Sequence, residues 1–80
     1  MLTENIERLR DMPLTYAVVG EENRIKKIGG KPEVKKHLEN LGFVPGSSVK
    51  VVSAIGGNLI VNIKEARVAI SRELASKIII

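Results

Sequence analysis

Apolar residues at helical spacing occur in one clear run. Val34, Leu38 and Leu41 fall at i, i+4 and i+7, one stripe of an amphipathic helix over about 32–41. Pro32 suits the first turn, where a missing N–H is harmless. Gly42 suits the left-handed residue that follows a helix. Phe43 is then placed to fold back onto the last turn. Pro45-Gly46 fits the centre of a type II turn, since proline presets φ and glycine accepts a positive one.

Elsewhere the pattern alternates, as strands do. Leu14 to Val19 reads as a strand or extended lead-in, and Gly20 to Asn23 as a turn. Arg24 to Ile28 is apolar only at Ile25 and Ile28, which predicts a bulge or a twisted edge. Beyond Gly46, Val49, Val51 and Ile55 are expected on one face, with Lys50, Val52 and Ala54 on the other. Gly56-Gly57-Asn58 signals a hairpin. Leu59, Val61 and Ile63 then oppose Asn58, Ile60 and Asn62. A tight connection near Lys64-Glu65 leads to Val68 and Ile70, with Arg67 and Ala69 opposite. Ser71 caps a short helical turn over 72–75, and the β-branched run to Ile80 predicts a last strand. Leu2, Ile6 and Leu9 repeat the helical spacing behind Thr3, a short N-terminal helix ended by Pro13. Such a short helix either docks on the domain or stays a loosely held extension.

The sum is a mainly β chain: five or six short strands, one main helix between the second and third, and a small barrel as the economical way to bury them. Residues 1–11 form an extension and residues 12–80 one domain. Eighty residues sit at the small end of what one core stabilises.

Charge adds one feature. The net charge is +4, but Arg24, Lys26, Lys27, Lys31, Lys35 and Lys36 crowd into residues 24–36 against Glu33 alone. Lys26, Lys27, Lys35 and Lys36 are therefore the candidate partner-binding residues, beside a groove along the helix. A solvated strand edge and helix face is the plainer account of the same run. The chain has no cysteine, hence no disulfide, thiolate site or thiol nucleophile. No segment reaches the roughly 18 apolar residues of a spanning helix, and the N-terminus lacks a signal-peptide pattern. These traits fit a cytoplasmic protein.

Candidate chemistry is thin. His37 is the sole histidine and flanks the helical stripe, so a boundary position is a better account than a metal ligand. The pairs Glu21/Glu22 and Glu4/Glu7 read as solvated charge rather than shielded acid–base groups. No phosphate-loop or nucleophile-elbow motif is present. No enzyme activity, cofactor or metal site is expected. Nucleic acid is disfavoured because the only aromatics are Tyr16 and Phe43, too few for a stacking platform.

One family resembles this chain. Leu38-x-x-Leu41-Gly42-Phe43-x-Pro45-Gly46 followed by alternating valines is similar to the signature of FeoA, the small ferrous iron transport protein A. The resemblance continues through Gly56-Gly57-Asn58-Leu59-Ile60-Val61, Arg67-Val68-Ala69-Ile70 and Ala75-x-x-Ile78, and covers about 12–80. It implies an SH3-like barrel. Leu41, Gly42, Pro45 and Gly46 would form its helix-to-strand corner, and Gly57 and Asn58 its hairpin. It implies a cytoplasmic accessory of FeoB, the Fe²⁺ permease with an N-terminal GTP-binding domain. It also leaves room for a homo-oligomer, and for an interaction module of an iron-dependent repressor, where the same domain occurs. A nucleic-acid-binding barrel is the remaining alternative. Glu65 departs from the family's glycine in that tight turn, so the connection is expected to differ in type.

Overall fold

The computed structural model describes residues 11–80. The expected N-terminal helix falls almost wholly outside them. Among the described residues are six strands: β1 (Glu22–Arg24), β2 (Lys27–Ile28), β3 (Ser48–Ile55), β4 (Asn58–Ile63), β5 (Ala66–Ser71) and β6 (Ile78–Ile79). Helix α1 (Pro32–Asn40) separates β2 from β3, and a single turn, α2 (Arg72–Ala75), precedes β6. One four-stranded antiparallel sheet runs β1-β3-β4-β5; a two-stranded ladder pairs β2 with β6.

The helix-to-strand corner follows the local chemistry of its residues. Pro32 opens α1, and Leu41 is the residue at its C-terminal boundary. Gly42 takes φ +105° and its N–H donates to the Glu39 carbonyl at 2.9 Å, while the Phe43 N–H donates to the Leu38 carbonyl at 2.9 Å. That pair of bonds is a Schellman motif, with Leu38 and Phe43 in its hydrophobic positions. Both are fully buried. The Ser47 N–H then closes onto the Val44 carbonyl at 3.1 Å, with Gly46 at φ +92°: the expected type II turn.

Two expectations fail early in the chain. Leu14–Tyr16 is a 3₁₀ turn, and Glu22–Asn23 already belong to β1. The turn lies earlier, where the Glu21 N–H donates to the Val18 carbonyl at 3.1 Å. Leu14 leads inward as a fully buried core residue, so its apolarity marked an anchor rather than a strand. The irregular spacing across Arg24–Ile28 is a change of sheets. The Ile25 N–H donates to the Ser47 carbonyl at 2.9 Å, the Lys26 N–H to the Ile79 carbonyl at 2.7 Å. Consecutive residues thus bond to different sheets, with Ile25 buried at the corner.

A third correction concerns Ile55. Val51 opposes Val61, but Ser53 opposes Ile60, so Val52 is an extra residue in β3. A bulge reverses the facing of every residue after it. Ile55 therefore pairs with Asn58 and is 65% exposed, whereas Val49 and Val51 stay in the core. β4 and β5 follow their alternation as expected, and Leu59, Val61, Ile63 and Ile70 are buried. Gly56-Gly57 is the loop of the first hairpin, with Asn58 opening β4 opposite Ile55. Ser71 Oγ accepts from the Leu74 N–H at 3.1 Å, which caps α2.

The two sheets share one core. β6 and the residues ahead of the 3₁₀ turn close it: the Met12 N–H donates to the Ile80 carbonyl at 3.2 Å and the Ile80 N–H to the Met12 carbonyl at 2.8 Å.

The β4–β5 loop departs from an ideal turn. Ile63 opposes Ala66, leaving Lys64 and Glu65 as a two-residue loop, and Lys64 has φ +57°. A side chain there costs about 1–2 kcal/mol relative to glycine, of which the looser unfolded chain returns roughly 0.4–1. Lys64→Gly is expected to stabilise by about 0.5–1 kcal/mol, a melting temperature some 3–6 °C higher by calorimetry.

Candidate functional site

The basic segment divides between two elements. Lys27 is exposed on β2, while Lys35 and Lys36 are exposed on α1. This side of α1 is solvated because Leu38 is buried and Val34 half-buried on the other. Lys26, at the sheet-switching corner, directs its ammonium at Asp11, with Nζ to Oδ1 at 2.5 Å. The hydrogen bond from Lys26 holds the Asp11 carboxyl below its usual value of 3.8; desolvation opposes the shift, and the charges of Lys26 and Lys27 add to it.

Because the folded value lies below the unfolded one, this contribution is full above the ordinary carboxylate value. It is lost as pH falls through the lowered one. An NMR titration of Asp11 is expected to show its midpoint rise in Lys26→Gln. An unchanged midpoint would remove Lys26 as the cause.

His37 is exposed on α1. Among the described residues no three His, Asp or Glu side chains converge as a metal-binding group would.

A concavity lies on the outer face of the four-stranded sheet, lined by none of Lys26, Lys27, Lys35 and Lys36. It is an open hollow of about 440 Å³ lined by Glu22, Ser47, Ser48, Lys50, Asn62 and Lys64. Register builds it. Glu22 opposes Lys50, Lys50 opposes Asn62, and Asn62 opposes Arg67, so residues from four strands form one polar row across the sheet. Arg67 Nε donates to Asn62 Oδ1 at 3.3 Å. Arg24 opposes Ser48 at the rim.

Alternation puts Lys50 on the face opposite Val49 and Val51, and Asn62 on the face opposite Leu59 and Val61, as observed, but it does not join them. Alternation says which way a side chain faces; only pairing register says what stands beside it. A further exposed group, Tyr16, Val18, Val19 and Ile55, is apolar. The turn that carries Val18 and Val19 meets β3 where the Gly20 N–H donates to the Val51 carbonyl at 2.8 Å.

Residues 12–80 match the family described as the FeoA domain. A Methanocaldococcus jannaschii protein assigned as Fe(2+) transport protein A is 37% identical over 68 residues, spanning 85% of this chain and 83% of that one. Among solved structures, an iron uptake regulatory protein (FeoA) superposes with a TM-score of 0.79 at 25% identity, covering 86% of this chain and 92% of that one. The zinc-complexed Stenotrophomonas maltophilia FeoA, described as a prokaryotic SH3 domain protein, superposes at 0.74 and 22% identity, over 84% and 86% of the two chains. The last is a likeness of fold, and it makes the barrel SH3-like.

Proposed function

The chain belongs to the FeoA domain family of ferrous iron transport proteins, and from that premise we propose that it is a cytoplasmic accessory of the FeoB-type Fe²⁺ permease. It binds the cytoplasmic part of that permease and modulates its assembly or activity. Family membership over residues 12–80 is the observation that carries the reading. Its role is binding rather than catalysis. Among the described residues no helix is long and apolar enough to cross a membrane, consistent with a chain that acts on a conduit supplied by another protein.

The exposed lysines of β2 and α1, Lys27, Lys35 and Lys36 with Lys26 beside them, speed encounter with an acidic partner more than they set affinity. Saturable binding to the isolated GTP-binding domain of the permease, measured with and without a GTP analogue, is the expected result. Dependence on the nucleotide would make the protein a reader of the permease's switch. No binding in either state would overturn this reading of the partner. The double variant Lys35→Glu/Lys36→Glu is expected to associate more slowly and to lose most of its salt dependence. If both rates and salt dependence stayed as in the wild type, this face would not be the encounter surface.

A further inference from the structure

We propose that the hollow on the outer face of the four-stranded sheet is an acidic-segment docking site, which takes one carboxylate side chain of a protein partner. This rests on the accessory reading above and deepens it, naming a second surface and the chemistry it recognises.

Three observations converge on an anion. The lining sets two ammonium groups, Lys50 and Lys64, against one carboxylate, Glu22. Lys50 and Lys64 make no ion pair within the described residues, and Ser47 and Ser48 make no side-chain hydrogen bond there. Asn62 is oriented: because its Oδ1 accepts from Arg67, its NH₂ remains as a donor. Hydroxyl, amide and ammonium donors thus line one side of the sheet with no internal acceptor that consumes them.

The strain in the β4–β5 loop is the independent sign. Lys64 occupies a positive φ where glycine would be less costly, and backbone strain of this kind clusters at ligand-binding and switch regions. Here the Lys64 side chain lines the hollow. The loop gives up stability and places an ammonium.

The balance of charge selects the ligand. Within the lining two ammonium groups outnumber one carboxylate, and Arg24 and Arg67 at its margin add positive charge. An anion is therefore favoured, while Glu22 in the lining would repel the second charge of a phosphate. Glu22 also offers an acceptor to a backbone N–H of the same peptide. Those features fit an extended acidic segment better than a nucleic acid, whose phosphates call for cations without an acid among them.

The test uses the full chain and two readouts. First, an acetylated and amidated glycine–glutamate–glycine peptide is titrated against the isotopically labelled protein by NMR. Expected are shifts at the Asn62 side-chain amide and the Ser47 and Ser48 amides, absent with the glutamine peptide and lost in Lys50→Gln/Lys64→Gln. Equal shifts with glutamine, no shifts at these groups, or tighter binding of inorganic phosphate would each overturn the assignment. Second, the same double variant is expected to bind the permease's cytoplasmic domain about tenfold more weakly, the sum of two exposed ion pairs. Lys64→Gly should bind more weakly while melting higher, a combination that a purely structural lysine would not produce. Wild-type binding left unchanged by these variants would sink the docking site and leave the accessory role standing. Peptide binding without permease binding would do the reverse.

Discussion

Phe43→Ala is expected to lose about 3–5 kcal/mol, the range for truncating a fully buried phenylalanine. Phe43 heads the fully buried side chains by size, and it holds two structures together. Its ring joins the cluster that contains Leu14, Leu38, Ile63 and Ile78, while its N–H closes the C-terminus of α1 on the Leu38 carbonyl. Alanine keeps the second interaction and removes the first. A domain of this size has roughly 4–12 kcal/mol in total, so the variant should unfold at far lower denaturant, or lack a folded baseline at 25 °C. Phe43→Leu, which leaves a smaller void, separates packing from the corner's backbone geometry and should lose no more than about 1.5 kcal/mol. Tyr16→Ala, at a side chain 71% exposed, should stay within about 0.5 kcal/mol of wild type. Equal losses at Phe43 and Tyr16 in urea denaturation would contradict the core described above.

Removal of residues 78–80 should be nearly as damaging. Ile78 is fully buried and Ile80 almost so; burying such side chains contributes about 1.5–3 kcal/mol each. The deletion also strips β2 of its partner, since Lys27 and Ile28 pair with Ile79 and Ile78. Met12 and Pro13 lose theirs as well. The combined loss, roughly 3–6 kcal/mol before backbone pairing is counted, should leave α1 and the four-stranded sheet without a closed core. Circular dichroism of the shortened chain is expected to show a broad or absent thermal transition. A cooperative transition near the wild-type temperature would show that β2 and β6 close nothing.

The corner between α1 and β3 was legible because every residue type in it serves one local geometry. Pro32, Gly42 and the Pro45-Gly46 pair each specify a backbone angle, and the hydrogen bonds follow from those angles. Hairpins announced by Gly56-Gly57 and by alternation in β4 and β5 were legible for the same reason. What was not legible depends on partners far off in sequence. Leu14 gives no local sign that it turns inward as 3₁₀, and Ile25 does not reveal that its neighbours bond to separate sheets. Val52 looks like any strand valine, yet its insertion turns Ile55 outward. Of the candidate surfaces, the lysines of β2 and α1 were visible as a run. The hollow lined by Lys50, Asn62 and Lys64 was not, because its members come from separate strands brought level by register. Lys64 carried a clue in its place within a tight turn, where a lysine is an unusual occupant.

The reciprocal bonds between Met12 and Ile80 make the order in which the chain visits its elements nearly arbitrary. Residues 12 and 80 are already neighbours, so a few glycines would splice them with little loop-closure entropy. New ends could then be opened at Gly56-Gly57, where a Cβ would meet nothing within 4 Å. Such a circular permutant would keep every pairing in both sheets except at the tip of one hairpin. By the same geometry the domain can be inserted whole into a loop of a host protein, entering and leaving at a single point on the host's surface.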